Sequence, residues 1–124
     1  MDTKHGMIRH YDWNLGFTEA FTTNISCDDK GRIWMGKNTG ADVFDPENNS
    51  IRVIDQNRGL SADWVASCTM DNNKRMWVAT VAGLNMIEQN AESVHPFNTA
   101  ITSMMEDGAN YLWVATQKGL YIIN

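Results

Sequence analysis

Three short polar runs are the first places in this sequence where chemistry could sit: Asp28-Asp29-Lys30-Gly31, Asp71-Asn72-Asn73-Lys74 and Asp107-Gly108-Ala109-Asn110. Oxygen-rich loops can hold calcium, but the alternating ligands and distal Glu of an EF-hand loop are missing, so the runs read as turns. Their leading carboxylates, Asp28, Asp71 and Asp107, recur at one register and read as structure rather than as the acid pair of a hydrolase. His5, His10 and His95 are isolated, and no His or Cys pair has zinc-ligand spacing. No Ser or Cys stands in a nucleophile motif. No enzyme, cofactor or metal site is therefore expected. The residues suited to binding are Trp13, Asn14 and Arg58 in one set of loops, and Lys37, Asn38, Gln117 and Lys118 in another. Aromatic faces stack on sugar rings while amides and cations bond hydroxyls and carboxylates, so the set suits a glycan, although each residue alone is also ordinary surface.

The elements that must position these residues come from a repeat. Arg75-Met76-Trp77-Val78-Ala79-Thr80-Val81-Ala82-Gly83-Leu84 returns as Arg32-Ile33-Trp34-Met35-Gly36-Lys37-Asn38-Thr39-Gly40-Ala41 and as Tyr111-Leu112-Trp113-Val114-Ala115-Thr116-Gln117-Lys118-Gly119-Leu120. In each copy Asp lies six residues before Trp and Gly six after it, and the copies are offset by 43 and then 36 residues. Self-similarity at this period marks a repeat architecture. The third copy lacks the segment that reads Asn57 to Trp64 in the second and Asn14 to Phe21 in the first.

Composition sets the class. The 124 residues are 43% hydrophobic and 20% charged, which suits one globular unit with a modest core. A net charge of -5 with no basic cluster argues against nucleic acid or an anionic membrane as partner. No apolar run is long enough to span a bilayer, and residues 1–10 hold no signal-peptide core. Cys27 and Cys68 have mostly apolar counterparts in the other copies and read as buried free thiols.

The tryptophan strands, Ile33 to Lys37, Met76 to Thr80 and Leu112 to Thr116, are apolar at consecutive positions, as in a sheet covered on both faces. Before each lies a strand with inward residues three apart: Thr22 and Ile25, Val65 and Cys68, Ile101 and Met104. That spacing predicts a bulge. After each, Gly40, Gly83 or Gly119 turns the chain into a third strand, and Ser50 to Asp55 and Glu92 to Phe97 make fourth strands. Met7 to Asp12 matches Ser50 to Asp55 at the 43-residue offset and is expected to be the outer strand of another unit.

Units of four short antiparallel strands, each with one Trp and two apolar faces, describe an all-β chain of β-propeller blades, with three blade equivalents. A sandwich would leave a solvated face on each sheet. The expected division is residues 1–14 as an outer strand, 15–56 as blade 1, 57–98 as blade 2, and 99–124 as blade 3 without its outer strand. Trp34, Trp77 and Trp113 are then core, and the binding candidates lie in loops at one end of the ring. Propellers typically close with four to eight blades, so either a longer propeller or a homodimer with a six-bladed ring is expected.

The run Gly59-Leu60-Ser61, Asp71 to Thr80 and Gly83-Leu84 resembles the two-component regulator propeller repeat. The first copy is similar from Gly16 to Asp45, with Lys37 in place of the usual Thr, and the third from Ile101 onward. The resemblance implies the extracytoplasmic, periplasmic sensor of a hybrid histidine kinase of the kind that detects oligosaccharides in glycan-degrading gut bacteria. The alternative is a purely structural or oligomerising propeller module without a small-molecule ligand.

Overall fold

Each repeat folds as a meander because turn formers alternate with runs of strand formers. The computed structural model describes residues 8–11, 14, 16–87 and 99–123. Blade 1 comprises β1 (Thr22–Cys27), β2 (Ile33–Lys37), β3 (Gly40–Asp45) and β4 (Ser50–Ile54), antiparallel and in that spatial order. A 3₁₀ turn at Gln56–Arg58 leads to blade 2, with β5 (Val65–Met70), β6 (Met76–Thr80) and β7 (Gly83–Ile87). Blade 3 comprises β8 (Ile101–Glu106), β9 (Leu112–Thr116) and β10 (Gly119–Ile123).

The expected second strands match β2, β6 and β9 at both ends, and the third strands start one residue earlier than expected, at their Gly. The expected fourth strand at Glu92 to Phe97 lies outside the described residues. Of the expected strand at Met7 to Asp12, the described residues 8–11 are not in strand. A register shift falls between Thr22 and Asn24, between Val65 and Ser67, and between Ile101 and Ser103. This is the bulge that the spacing of three required, at one place in all three blades.

The blades stack face to face. Trp34, Ala41, Val43 and Ile54 of blade 1 pack on Val65, Cys68, Met76, Val78 and Ile87 of blade 2. On the opposite face of blade 2, Trp77, Ala79 and Leu84 pack on Ile101, Met104, Leu112 and Val114 of blade 3. Both faces of β6 are therefore dry, which explains its unbroken apolar sequence. The stacked sheets are no two-layer sandwich. At Gly36 a Cβ would come within 2.8 Å of Val65 Cγ1, so the small residue two places after Trp makes room for the next blade. Gly40 has φ of +130°, and a Cβ there would meet the Ile54 carbonyl oxygen at 2.6 Å.

Burial departs from expectation where a blade has no described neighbour. Thr22 and Ile25 were expected to face inward, yet both are exposed, Ile25 by 67% against 1% for its counterpart Cys68. Trp34 and Trp77 are buried, but Trp113 is half-buried on the free face of blade 3. Cys27 is exposed because, among the described residues, its side of β1 has nothing against it, so the expectation of two buried thiols holds for Cys68 alone. Burial pushes the Cys68 thiol up to about 12, leaving it a packing group.

Candidate functional site

The first strands β1, β5 and β8 lie against one another, so these sheet edges converge toward the centre of the arc. Across that centre the Thr23 hydroxyl donates to the Val65 carbonyl at 2.7 Å, and the Cys68 N–H donates to Asn24 Oδ1 at 2.8 Å. Strand direction brings the β2–β3 and β6–β7 turns to the same end as the loops that enter β1 and β5. Contacts between them confirm it: the Val81 N–H donates to the Trp64 carbonyl at 3.1 Å.

A polar latch holds each entry loop at this mouth. In blade 2, Ser61 donates its N–H to Asn85 Oδ1 at 3.1 Å, the Asn85 amide donates to Ser61 Oγ at 2.9 Å, and Thr80 and Ser61 hydroxyls meet at 2.7 Å. In blade 1, Thr18 replaces Ser61 and Asp42 replaces Asn85: Asp42 accepts the Thr18 N–H at 2.7 Å and its hydroxyl at 2.9 Å. Lys37 stands where blade 2 has Thr80, and its Nζ pairs with Asp42 at 3.1 Å and donates to the Thr18 carbonyl. A buried carboxylate thus acquires a buried cation.

The latch decides the place of one expected ligand residue. Lys37 is 5% exposed and committed within the blade, because burying Asp42 demands a counter-charge, so it is not offered at the mouth. Asn38 is half-buried, and its Oδ1 is buried with no hydrogen-bond partner. Asn14, Arg58, Gln117 and Lys118 are exposed. Arg58 closes the 3₁₀ turn through its N–H to the Asp55 carbonyl at 2.9 Å, and Lys118 donates its N–H to Thr116 Oγ1 at 3.0 Å. Trp13 lies outside the described residues.

Two aromatic residues at the mouth were not among the expected ligand residues. Trp64, immediately before β5, is 53% exposed, and Phe21, immediately before β1, is 81% exposed. They occupy the same repeat position at the entry to the innermost strands. The signal was available in the sequence, since both are aromatic at equal register, 43 residues apart, directly before the first strand of a repeat.

At the opposite end each leading Asp serves its tryptophan. Asp71 accepts the Trp77 indole N–H at 2.8 Å, the Arg75 backbone N–H at 3.0 Å, Arg75 Nε at 2.6 Å and the Asn73 N–H at 2.8 Å. Asp28 does the same for Trp34, Arg32 and Lys30. Asp107 takes the Trp113 indole at 2.8 Å. Burial alone would raise the Asp28 and Asp71 carboxyls, but these donors outweigh it and hold both below the usual carboxylate range. The Trp113 bond leads in lowering Asp107. Among the described residues no three His, Cys, Asp or Glu side chains could together hold a metal ion.

Among the described residues, clefts open on the free faces of blades 1 and 3, the former reaching the entry loop and latch at Thr18, Glu19 and Lys37. One of about 510 Å³ faces Tyr11, Phe17, Met35 and Phe44 of blade 1, and one of about 200 Å³ faces Met105, Trp113 and Leu120 of blade 3.

Residues 96–118 match the family described as Two component regulator propeller. No curated protein sequence matches the chain. Among solved structures, the chain resembles two extracellular domains from B. thetaiotaomicron named for hybrid two component systems. The BT3049 domain is 25% identical with a TM-score of 0.76, over 94% of this chain and 19% of that one. The BT4673 domain is 24% identical with a TM-score of 0.77, over 94% of this chain and 16% of that one. PorZ, a surface component of the type-IX secretion system of Porphyromonas gingivalis, is 18% identical with a TM-score of 0.60, over 80% of this chain and 17% of that one. The chain thus spans less than a fifth of each of these structures. Among the described residues no helix is long and apolar enough to cross a membrane. Over residues 96–118 the chain matches the two component regulator propeller repeat, and its sheets are stacked as β-propeller blades similar to those of these extracellular domains.

Proposed function

We propose that the chain forms blades of the periplasmic sensor propeller of a hybrid two-component system, and that its mouth binds an oligosaccharide. One observation carries this reading: Phe21 and Trp64 stand exposed at the same repeat position, beside the entry to the innermost strands. An exposed aromatic ring at a mouth rimmed by Asn14, Arg58, Gln117 and Lys118 offers a stacking face together with groups that bond hydroxyls. The latches hold the entry loops, so the platforms are pre-organised and little ordering cost attends binding. Catalysis has no part in this reading, since the carboxylates that recur are bonded to tryptophans.

The test is titration of the chain with a panel of neutral and acidic oligosaccharides, followed by tryptophan fluorescence and calorimetry. Binding of at least one glycan, weakened about tenfold or more by Trp64→Ala with the circular dichroism unchanged, is the expected result. A folded chain that binds nothing in the panel, or binds equally without Trp64, overturns the reading. The second reading is a structural module without a small ligand, favoured by the withdrawal of Lys37 from the mouth into the Asp42 ion pair.

A further inference from the structure

The turns between second and third strands share one register and differ in chemistry. Thr80 pairs with Gly83 and Thr116 with Gly119, so two residues form each tip: Val81-Ala82 in blade 2 and Gln117-Lys118 in blade 3. In blade 1, Lys37 pairs with Gly40 across Asn38-Thr39. Turn tips favour residues that bond water or their own backbone, and blades 1 and 3 follow that rule. Blade 2 departs from it. Val81 and Ala82 are both exposed, Val81 by 47%, and the Thr80 hydroxyl holds the tip by accepting the Ala82 N–H at 3.1 Å.

Trp64 stands beside this apolar tip. Val65 is opposite Thr80 in the ladder, and the Val81 N–H carries the pairing one step further, to the Trp64 carbonyl at 3.1 Å. Residues opposed in this way extend their side chains to one side of the ladder. Trp64 is 53% exposed, so an indole face and the Val81 methyls lie open to solvent together. Blade 2 packs on a blade at each side, so this exposure does not come from an uncovered blade face. An apolar patch made by Trp64, Val81 and Ala82 is far smaller than the roughly 800 Å² per partner that a stable protein interface buries. Its size is that of one sugar residue.

We infer that this patch selects, within the oligosaccharide, a sugar bearing a methyl group, carried either on an N-acetyl substituent or as a 6-deoxy carbon. The inference rests on the glycan reading of the mouth and narrows it. The pyranose ring lays its C–H face on Trp64, and the substituent beside the ring meets Val81 and Ala82. A hydroxyl set against these methyls gives up its bond to water and finds no partner, so the patch disfavours it. A methyl group there is buried instead, which is worth about fourfold in affinity. Charge does not compete for the site from the blade 1 turn, because the Lys37 ammonium is tied to Asp42 and offers no cation to an acidic sugar. Gln117, exposed on the turn of blade 3, is left to bond hydroxyls.

The test is calorimetric titration of the chain with two matched pairs of probes: N,N′-diacetylchitobiose against cellobiose, and a 6-deoxygalactoside against the corresponding galactoside. The first pair isolates the N-acetyl group and the second the deoxy carbon. In at least one pair the methyl-bearing member is expected to bind tighter by about fourfold or more. Val81→Asn, which copies the turn of blade 1, is expected to erase that preference with unchanged circular dichroism, and the near-isosteric Val81→Thr to reduce it. Equal affinity within both pairs, binding confined to glycans without a methyl group, or a preference that survives both substitutions overturns the inference and leaves the glycan reading standing. A folded chain that binds neither these probes nor any glycan of the wider panel overturns the glycan reading, and the inference with it.

Discussion

Replacing Asp71 by Ala isolates the bond between a turn and the core. Trp77 is 2% exposed, and its indole N–H donates to Asp71 at 2.8 Å. Removing that acceptor from a buried donor costs about 1–3 kcal/mol, and losing the bond to the Arg75 backbone N–H adds about 1 kcal/mol. The Arg75 guanidinium ion pair adds little, about 0.5 kcal/mol, because its side chain is 31% exposed and water screens it. The total, about 2.5–4.5 kcal/mol, is a large part of a typical domain stability of about 5–15 kcal/mol. With a urea dependence of about 1–3 kcal/mol per molar, the midpoint should fall by about 1–2 M. Asp107→Ala is the control, because Asp107 makes the same indole bond at 2.8 Å on an exposed loop, where water replaces it. Urea unfolding followed by far-ultraviolet circular dichroism should show a much larger shift for Asp71→Ala than for Asp107→Ala. Equal shifts, or no shift at Asp71, would refute the argument that burial of the tryptophan sets the cost.

Two further outcomes are expected. Lys37→Met leaves Asp42, 1% exposed, without its counter-ion and should cost about 3 kcal/mol by thermal unfolding. The double change Lys37→Thr with Asp42→Asn copies the Thr80–Asn85 latch of blade 2 and should recover most of the loss. Asp28 and Asp71 titrate below their unfolded value in the folded chain, so the stability they contribute is complete above the ordinary carboxylate pKa of about 3.9 and is lost as pH falls through the folded values. Urea midpoints should reflect this loss below about pH 4, and Asp71→Asn should make that acid loss smaller.

Much of the fold was legible because it repeats. Equal spacing of Asp, Trp and Gly located the turns, the second strands and the bulge before any contact was known, since each depends on residues close in sequence. The role of the leading Asp was only half legible. Turn chemistry accounts for its bonds to Asn73 and Arg75, but its bond to Trp77 six residues on exists because the hairpin folds the indole back over the loop. At the mouth, Lys37 read as a surface cation in a turn, and nothing nearby in sequence pointed to Thr18 or Asp42 as its partners. Trp64 read as part of a loop because exposure depends on which sheet edges converge.

What the sequence by itself determined is the local and periodic part: an all-β chain, the second strands with both their ends, their two apolar faces and the bulge before them, each following from side-chain period and turn chemistry. What only the tertiary structure decided is which equivalent residues are equivalent in environment. Cys68 and Ile25 share a register but not a fate, one at 1% exposure and the other at 67%, because burial belongs to the neighbouring blade and not to the residue. The same holds for Leu120 and Ala41, since a blade completes its neighbour's core and cannot complete its own second face.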